Sequence, residues 1–325
     1  MRVELRRVDW EFRSVFRISY KVQSRAETVQ VELTDGEHTG RGEACGVSYH
    51  DESADSLVKQ LEAVSGTLTK GVSREQLAAL LPPGGARCAV DCALWDLEAK
   101  RAGRRAWELA GFSSVQPLVT AFTLSLDTPQ AMAEAAAGAK KYSLLKLKLG
   151  GEGDKERVAA VRQARPDVRI IVDANQAWNE RQLRDFVPRL AELGVELIEQ
   201  PMPAGKDEAL LGFKSAVPLC ADESCQTTES LSSLRGKYEF INIKLDKTGG
   251  LTEALRLARA AQQEKLKLMV GCMAGSSLSM APAYIIGQLC HVIDLDGPLL
   301  ATADMPHAIR YEGSQMFAPE KELWG

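Results

Sequence analysis

Short apolar runs in this chain end on a charged or small residue at a near-constant spacing. Lys148, Asp173, Glu199, Asp222, Lys244, Gly271 and Asp294 follow one another at intervals of about 25 residues. That interval holds one strand, one helix and two turns. Strands are expected near Leu118–Leu124, Leu144–Leu149, Ile170–Asp173, Leu197–Glu199, Leu219–Asp222, Phe240–Leu245, Leu268–Gly271 and His291–Asp294. Helical patterns separate them at Pro129–Lys141, Glu152–Ala164, Glu180–Leu193, Ala209–Lys214, Glu229–Leu234, Thr252–Gln263 and Ser276–Gly287. Eight strands alternating with helices predict an α/β fold, a modified (β/α)7β TIM-type barrel whose last strand lacks a good helix.

The first third of the chain has another rhythm. Val3, Leu5 and Val8, then Thr28–Leu33, alternate as strands, and Asp35-Gly36 is a hairpin turn leading to a third strand near Arg41–Ala44. The stretch Ser14–Glu27 is rich in Arg, Lys, Ser and Gln and is expected to be a loop. Helices are expected at Ser53–Leu68, Ser73–Leu80 and Ala86–Leu109, the last starting after Pro82-Pro83-Gly84-Gly85. These readings divide the chain into an α+β module over 1–112, a barrel over 113–299, and a segment 300–325 that packs back on the first module.

Net charge is −4 and no long basic run occurs, so nucleic acid is not an expected partner. No apolar run approaches the ~20 residues of a membrane span, and the N-terminus lacks the apolar core of a signal peptide. Seven cysteines without a Cys-x-x-Cys pair suit reduced thiols in a cytoplasm better than a disulfide framework. Exposed apolar helices leave a homo-oligomer open.

Leu144–Gly150 is the most telling strand. Its period of two puts Lys146 and Lys148 on one face and Leu145, Leu147 and Leu149 on the other. The lysine face needs polar surroundings, since two ammonium groups without partners are costly to bury. Mutual repulsion is expected to bring at least one of the two below the free lysine pKa of about 10.4.

In a parallel barrel the C-terminal strand ends surround one site. Three consecutive strands bring Asp173, Glu199 and Asp222 there. Any one of them could simply cap the next helix, but three crowded carboxylates need a counter-charge. Hard oxygen donors of this kind suit Mg²⁺. Lys148 and Lys244 end the strands on either side. A lysine on each side of a metal-bound carboxylate is what two-base proton transfer at the α-carbon requires: one removes the proton, the other returns one to the opposite face.

Lys146-x-Lys148, Asp173-x-Asn175, Glu199-Gln200-Pro201, Ala221-Asp222-Glu223-Ser224 and Asn242-Ile243-Lys244-Leu245-Asp246-Lys247-Thr248-Gly249-Gly250 together resemble the muconate-lactonising subgroup of the enolase superfamily. The likeness spans nearly the whole chain and includes an N-terminal α+β capping domain. Asp294-Leu295-Asp296-Gly297-Pro298 and Gly271-Cys272-Met273 resemble the dipeptide epimerases of that subgroup, above all those acting on L-Ala-D/L-Glu in murein peptide recycling. The resemblance implies one Mg²⁺ per subunit on Asp173, Glu199 and Asp222, with Lys148 and Lys244 as the acid/base pair. A Lys or His base with Mg²⁺ is the pattern of that superfamily. Lys146 would assist Lys148 and contact the substrate carboxylate. Asp294 and Asp296 would hold the α-ammonium of the dipeptide, and Met273 would line the site. A cationic residue of the N-terminal loop meets the glutamate side chain in the Ala-Glu enzymes. The position here falls on Gln23, with Arg25 or Lys21 as substitutes, so hydrophobic or cationic second residues stay open. An o-succinylbenzoate synthase or cycloisomerase would use the same lysines but has no ammonium for Asp294-x-Asp296. A Schiff-base aldolase would not require three metal-spaced acids. A barrel without chemistry would show damage among the two lysines and three acids, and none is visible.

Overall fold

The computed structural model describes residues 1–325. It opens on a three-stranded antiparallel sheet of β1 (Arg2–Ile18), β2 (Lys21–Asp35) and β3 (His38–Cys45). The expected loop at Ser14–Glu27 is instead strand. β1 and β2 stay paired from Arg2↔Thr34 to Ile18↔Lys21, with a register shift between Glu11 and Phe16, and only Ser19-Tyr20 form the turn. The polar composition misled because the outer half of this ribbon has no core face, while backbone pairing needs no apolar side chain.

Helices α1 (Ala54–Leu68), α2 (Arg74–Leu80) and α3 (Gly85–Ala102) follow. Ser53 with Ser56, and Ser73 with Gln76, form reciprocal caps at the first two. α3 lies directly on β3: a methyl group at Gly40 would come 2.1 Å from the Ala93 carbonyl, so only glycine fits. The helix expected to run to Leu109 ends at Gly103, a left-handed C-terminal residue (φ 62°), and α4 (Ala106–Leu109) is separate.

The strand expected at Leu118–Leu124 divides at Thr120. β4 (Leu118–Val119) joins a small sheet with β13 (Tyr311–Glu312) and β14 (Gln315–Met316). β5 (Phe122–Leu124) starts the parallel set, which continues through β6 (Leu144–Lys148), β7 (Arg169–Asp173), β8 (Val195–Glu199), β9 (Leu219–Ala221), β10 (Phe240–Ile243), β11 (Lys267–Val270) and β12 (Val292–Ile293) in that spatial order. A parallel bridge between Thr120 and Ile293, with the Ala121 N–H donating to the Ile293 carbonyl at 2.8 Å, links the two ends. The helices around it are α5 (Pro129–Gly138), α6 (Asp154–Ala164), α7 (Glu180–Glu192), α8 (Leu231–Leu234), α9 (Leu245–Thr248), α10 (Leu251–Gln263), α11 (Ser277–Gly287) and α12 (Gly297–Leu300). The crossover expected as a helix over Ala209–Lys214 contains only a 3₁₀ turn, Glu208–Leu210, and that over Glu229–Leu234 is half 3₁₀.

Ala121, Leu144, Ile171, Leu197, Cys220, Phe240 and Met269, one from each of seven neighbouring strands or their entries, form a small buried apolar cluster. Two residues further along each strand, on the same face, stand Thr123, Lys146, Asp173, Glu199, Asp222, Asn242 and Gly271. An apolar floor therefore carries a polar layer.

The N-terminal sheet covers the end of the barrel to which that layer points. The Arg17 carbonyl accepts from the Leu126 N–H (3.0 Å), and Ser19 Oγ donates to the Asn175 carbonyl (2.8 Å). Cys45 N–H donates to Asp246 Oδ1 (2.8 Å), and Ser276 N–H to Glu43 Oε1 (2.7 Å). Arg87 donates to the Thr248 and Gly249 carbonyls, and Asp91 accepts from the Thr252 N–H and hydroxyl. The C-terminal segment also meets the first module: Trp324 Nε1 donates to the Cys92 carbonyl (3.0 Å) and Gly325 N–H to Asp96 (2.7 Å). No helix is long and apolar enough to cross a membrane.

Candidate active site

Asp173, Glu199 and Asp222 close β7 and β8 and follow β9. Each is buried, and each offers an oxygen within 4.8 Å of the others. Lys148, at the end of β6, donates to Asp173 Oδ2 at 2.7 Å. Lys244, just after β10, donates to Asp222 Oδ2 at 2.6 Å. Strand order thus places the acid trio between the two lysines.

Lys146 lies deeper, 1% exposed, with its ammonium 2.6 Å from Glu199 Oε2, 2.7 Å from Asp294 Oδ2 and 3.2 Å from Asp173 Oδ2. Its pKa was expected to fall if it was the member of the lysine pair that yielded. It is raised well above the ordinary value: burial opposes the charge, but Asp294, Glu199 and Asp173 outweigh it. Lys244 is raised too, burial again being outweighed by Asp222 and Glu199.

The acids divide according to their neighbours. Burial would raise Asp173, yet Lys148, Lys146 and Lys244 hold it down to about 2. Asp222 is likewise held far below the carboxylate range against burial, by Lys244 and Lys247. Burial and the Asp173 charge push Glu199 up to about 7. A trio of buried, oxygen-only donors in which one member resists ionisation is short of positive charge. These residues fit a hard divalent cation such as Mg²⁺.

Asp294 and Asp296 follow β12, both buried. Asp296 Oδ2 accepts from the Thr123 N–H at 2.6 Å, and burial beside Asp294 pushes it up to about 7. Met273 stands half-buried in the loop after β11. Gln23 and Arg25 lie on β2 rather than on a loop, and Arg25 is turned to Asp9 (3.6 Å) and Glu27 (3.1 Å).

Several contributors went unassigned at the level of sequence. Asn242 Nδ2 donates to Glu199 Oε1 at 2.7 Å, and Gln200 Oε1 accepts the Asp222 N–H at 2.9 Å. Asn242 was within reach, since it sits two residues before Lys244 on the same strand face. Lys247 is fully buried against Asp222. Tyr49, from the N-terminal module, has a phenol pushed up by burial and, among other charges, by Asp222 and Glu223, and Tyr20, about half exposed, stands near the same charges. Glu223 itself is pushed up to about 8, by burial and by Asp222 and Asp173. Only the tertiary structure brings these tyrosines to the barrel mouth.

Known proteins are similar to this chain over most of its length. Residues 1–111 match the mandelate racemase/muconate lactonizing enzyme N-terminal domain, and residues 130–322 the enolase C-terminal domain-like family. An N-acetyl-D-glutamate racemase from Pseudoalteromonas is 44% identical, covering 91% of this chain and 95% of the relative. The L-Ala-D/L-Glu epimerase of Escherichia coli is 41% identical, covering 94% and 96%. A crystal structure of an enolase family member from Agrobacterium tumefaciens with homology to dipeptide epimerases, holding sodium and L-Ala-L-Glu, superposes with a TM-score of 0.97 at 44% identity over 99% of both chains. The chain belongs to the mandelate racemase/muconate lactonizing branch of the enolase superfamily.

Proposed function

We propose that this protein is a Mg²⁺-dependent isomerase that inverts the α-carbon of the second residue of a dipeptide, with L-Ala-D/L-Glu as its substrate. The observation that carries this reading is the pair Lys148 and Lys244, set on opposite sides of three buried acids. Asp173, Glu199 and Asp222 would hold the ion. When bound, it takes up carboxylate charge that now pairs with the lysines and compensates the charge of a substrate carboxylate whose α-carbon loses its proton.

The chain's own groups do the rest. One lysine, as the free amine, accepts the α-proton, while the other, as ammonium, gives a proton to the opposite face. The product is the epimer, and the two lysines have exchanged protonation states. Lys146 contacts the substrate carboxylate. Asp294 and Asp296 receive the α-ammonium, Met273 lines the pocket, and Gln23 stands first for the distal carboxylate, with Lys21 or Arg25 as substitutes. In this reading residues 1–112, completed by 300–325, form the cap and 113–299 the barrel. The setting we propose for such a Glu-containing dipeptide is murein peptide recycling in the cytoplasm.

The 44% identity to an N-acetyl-D-glutamate racemase supports a second reading, in which the amino group is acylated and no cation meets Asp294 and Asp296. Proton NMR in D₂O decides between them. With Mg²⁺, L-Ala-L-Glu should lose its glutamate α-proton signal as solvent deuterium enters, while the alanine methyl signal of the epimer appears. Exchange of N-acetyl-D-glutamate alone would favour the second reading, and exchange of neither would refute both.

A further inference from the structure

Lys247 is the third residue after Lys244, in α9, and is 1% exposed. Its ammonium meets four oxygens: the Asp222 carbonyl at 2.6 Å, Asp222 Oδ1 and the Cys225 carbonyl at 2.7 Å, and the Asn242 carbonyl at 3.0 Å. Three of these are backbone carbonyls, two from the turn after β9 and one from the end of β10. The group occupies its oxygen cage much as a small monovalent cation would, but it is tethered to the chain.

The consequence falls on Asp222. Its N–H is held by Gln200 Oε1 (2.9 Å), and its carbonyl and Oδ1 by Lys247, so the carboxylate cannot turn. Oδ2 alone is left to the acid trio and Lys244, at 2.6 Å from the latter. We propose that Lys247 is a positioning residue that locks the Asp222 carboxylate with Oδ2 aimed into the trio, preorganising the cation site before any ion arrives. This rests on the reading of Asp222 as a metal ligand. Removing a partner that orients a metal ligand typically weakens binding about 10–100-fold. Replacing Lys247 also leaves Asp222 Oδ1 and three carbonyls without their donor, so some loss of stability accompanies any variant.

The test is a titration of metal-free enzyme with Mn²⁺, with free ion followed by electron paramagnetic resonance and Mg²⁺ affinity obtained by competition. Lys247→Met keeps the length and removes the charge. It should bind both ions about 10–100-fold more weakly than wild type. Wild-type affinity in a variant that merely melts earlier would overturn the proposal. Should the Met variant not melt cooperatively, Lys247→Gln, whose amide keeps two donors for the carbonyls, replaces it under the same criterion. Asp222→Asn is titrated alongside. Undiminished binding there would refute the metal reading itself, whereas loss in Asp222→Asn with full binding in the Lys247 variant would refute only the positioning role.

Discussion

Lys148 Nζ lies 2.7 Å from Asp173 Oδ2, on the neighbouring strand. Lys244 and Asp222 repeat the relationship at 2.6 Å, with Glu199 between the two pairs. Each lysine is thus parked on one of the outer acids. Lys148→Ala and Lys244→Ala should each lower kcat for epimerisation by about 10²–10⁴-fold or more, since each removes a proton-transfer group. Polarimetry on L-Ala-L-Glu reads this directly. Full-rate inversion by either variant would rule out the two-base scheme.

Chelation should remove activity and Mg²⁺ should restore it. Asp173→Asn should bind the ion more weakly at unchanged fold, because an amide brings no charge to the trio. Calorimetric titration with Mg²⁺ measures the loss, and far-ultraviolet circular dichroism checks the fold.

Asp91 joins α3 to the start of α10, and its pH dependence can be foreseen. Burial raises its carboxyl from the usual 3.8 to about 6 in spite of the Thr252 hydrogen bonds. Between those values the folded chain keeps a proton that the unfolded chain has released. Stability from this group therefore falls as pH rises from 3.8 to about 6 and is level above. Asp91→Asn abolishes that slope. Relative to the variant, wild type should lose roughly 2–3 kcal/mol across the window. Urea denaturation at about pH 4 and pH 7 gives the difference, and an identical slope in both proteins would contradict it.

Trp324, second from the C-terminal end of the chain, is 1% exposed and bonded to the Cys92 carbonyl of α3. Trp324→Ala should cost about 3–5 kcal/mol of unfolding free energy through the cavity left behind and the lost indole hydrogen bond. The urea midpoint should fall while the denaturant slope is kept.

Arg25 is held by Asp9 and Glu27 on the outer part of the ribbon. Arg25→Ala should leave KM for L-Ala-L-Glu within about twofold, since its guanidinium is already engaged by Asp9 and Glu27 and exposed ion pairs contribute little. A tenfold rise would make Arg25 the group that reads the distal carboxylate.

The barrel and its polar strand ends were legible in the chain because each βα unit repeats a local pattern, and side-chain direction along a strand follows from its period of two. The Lys146/Lys148 face and the three acids required nothing more. Residues 14–27 were not legible: their pairing with the rest of the ribbon is a backbone property, and the composition of an exposed strand resembles that of a loop. The break at Gly103 was hidden by an apolar stripe continuing through Trp107, which packs whether or not the helix is interrupted.

The sequence by itself determined the charged strand ends and the alternation that sets an apolar floor under a polar layer, since both follow from the spacing of neighbouring positions. Only the tertiary structure decided the charge state of that layer. Two adjacent lysines repel one another, but the sign of Lys146's shift depends on Glu199 and Asp294, which are distant in the chain and in hydrogen-bonding or ion-pair reach in space. The same holds for the cap, whose tyrosines reach the mouth because the Arg17 carbonyl, accepting from the Leu126 N–H, and the Cys45 N–H, donating to the Asp246 carboxylate, fasten the sheet to the barrel. Electrostatic energy depends on distance and burial through space, and a linear sequence records neither.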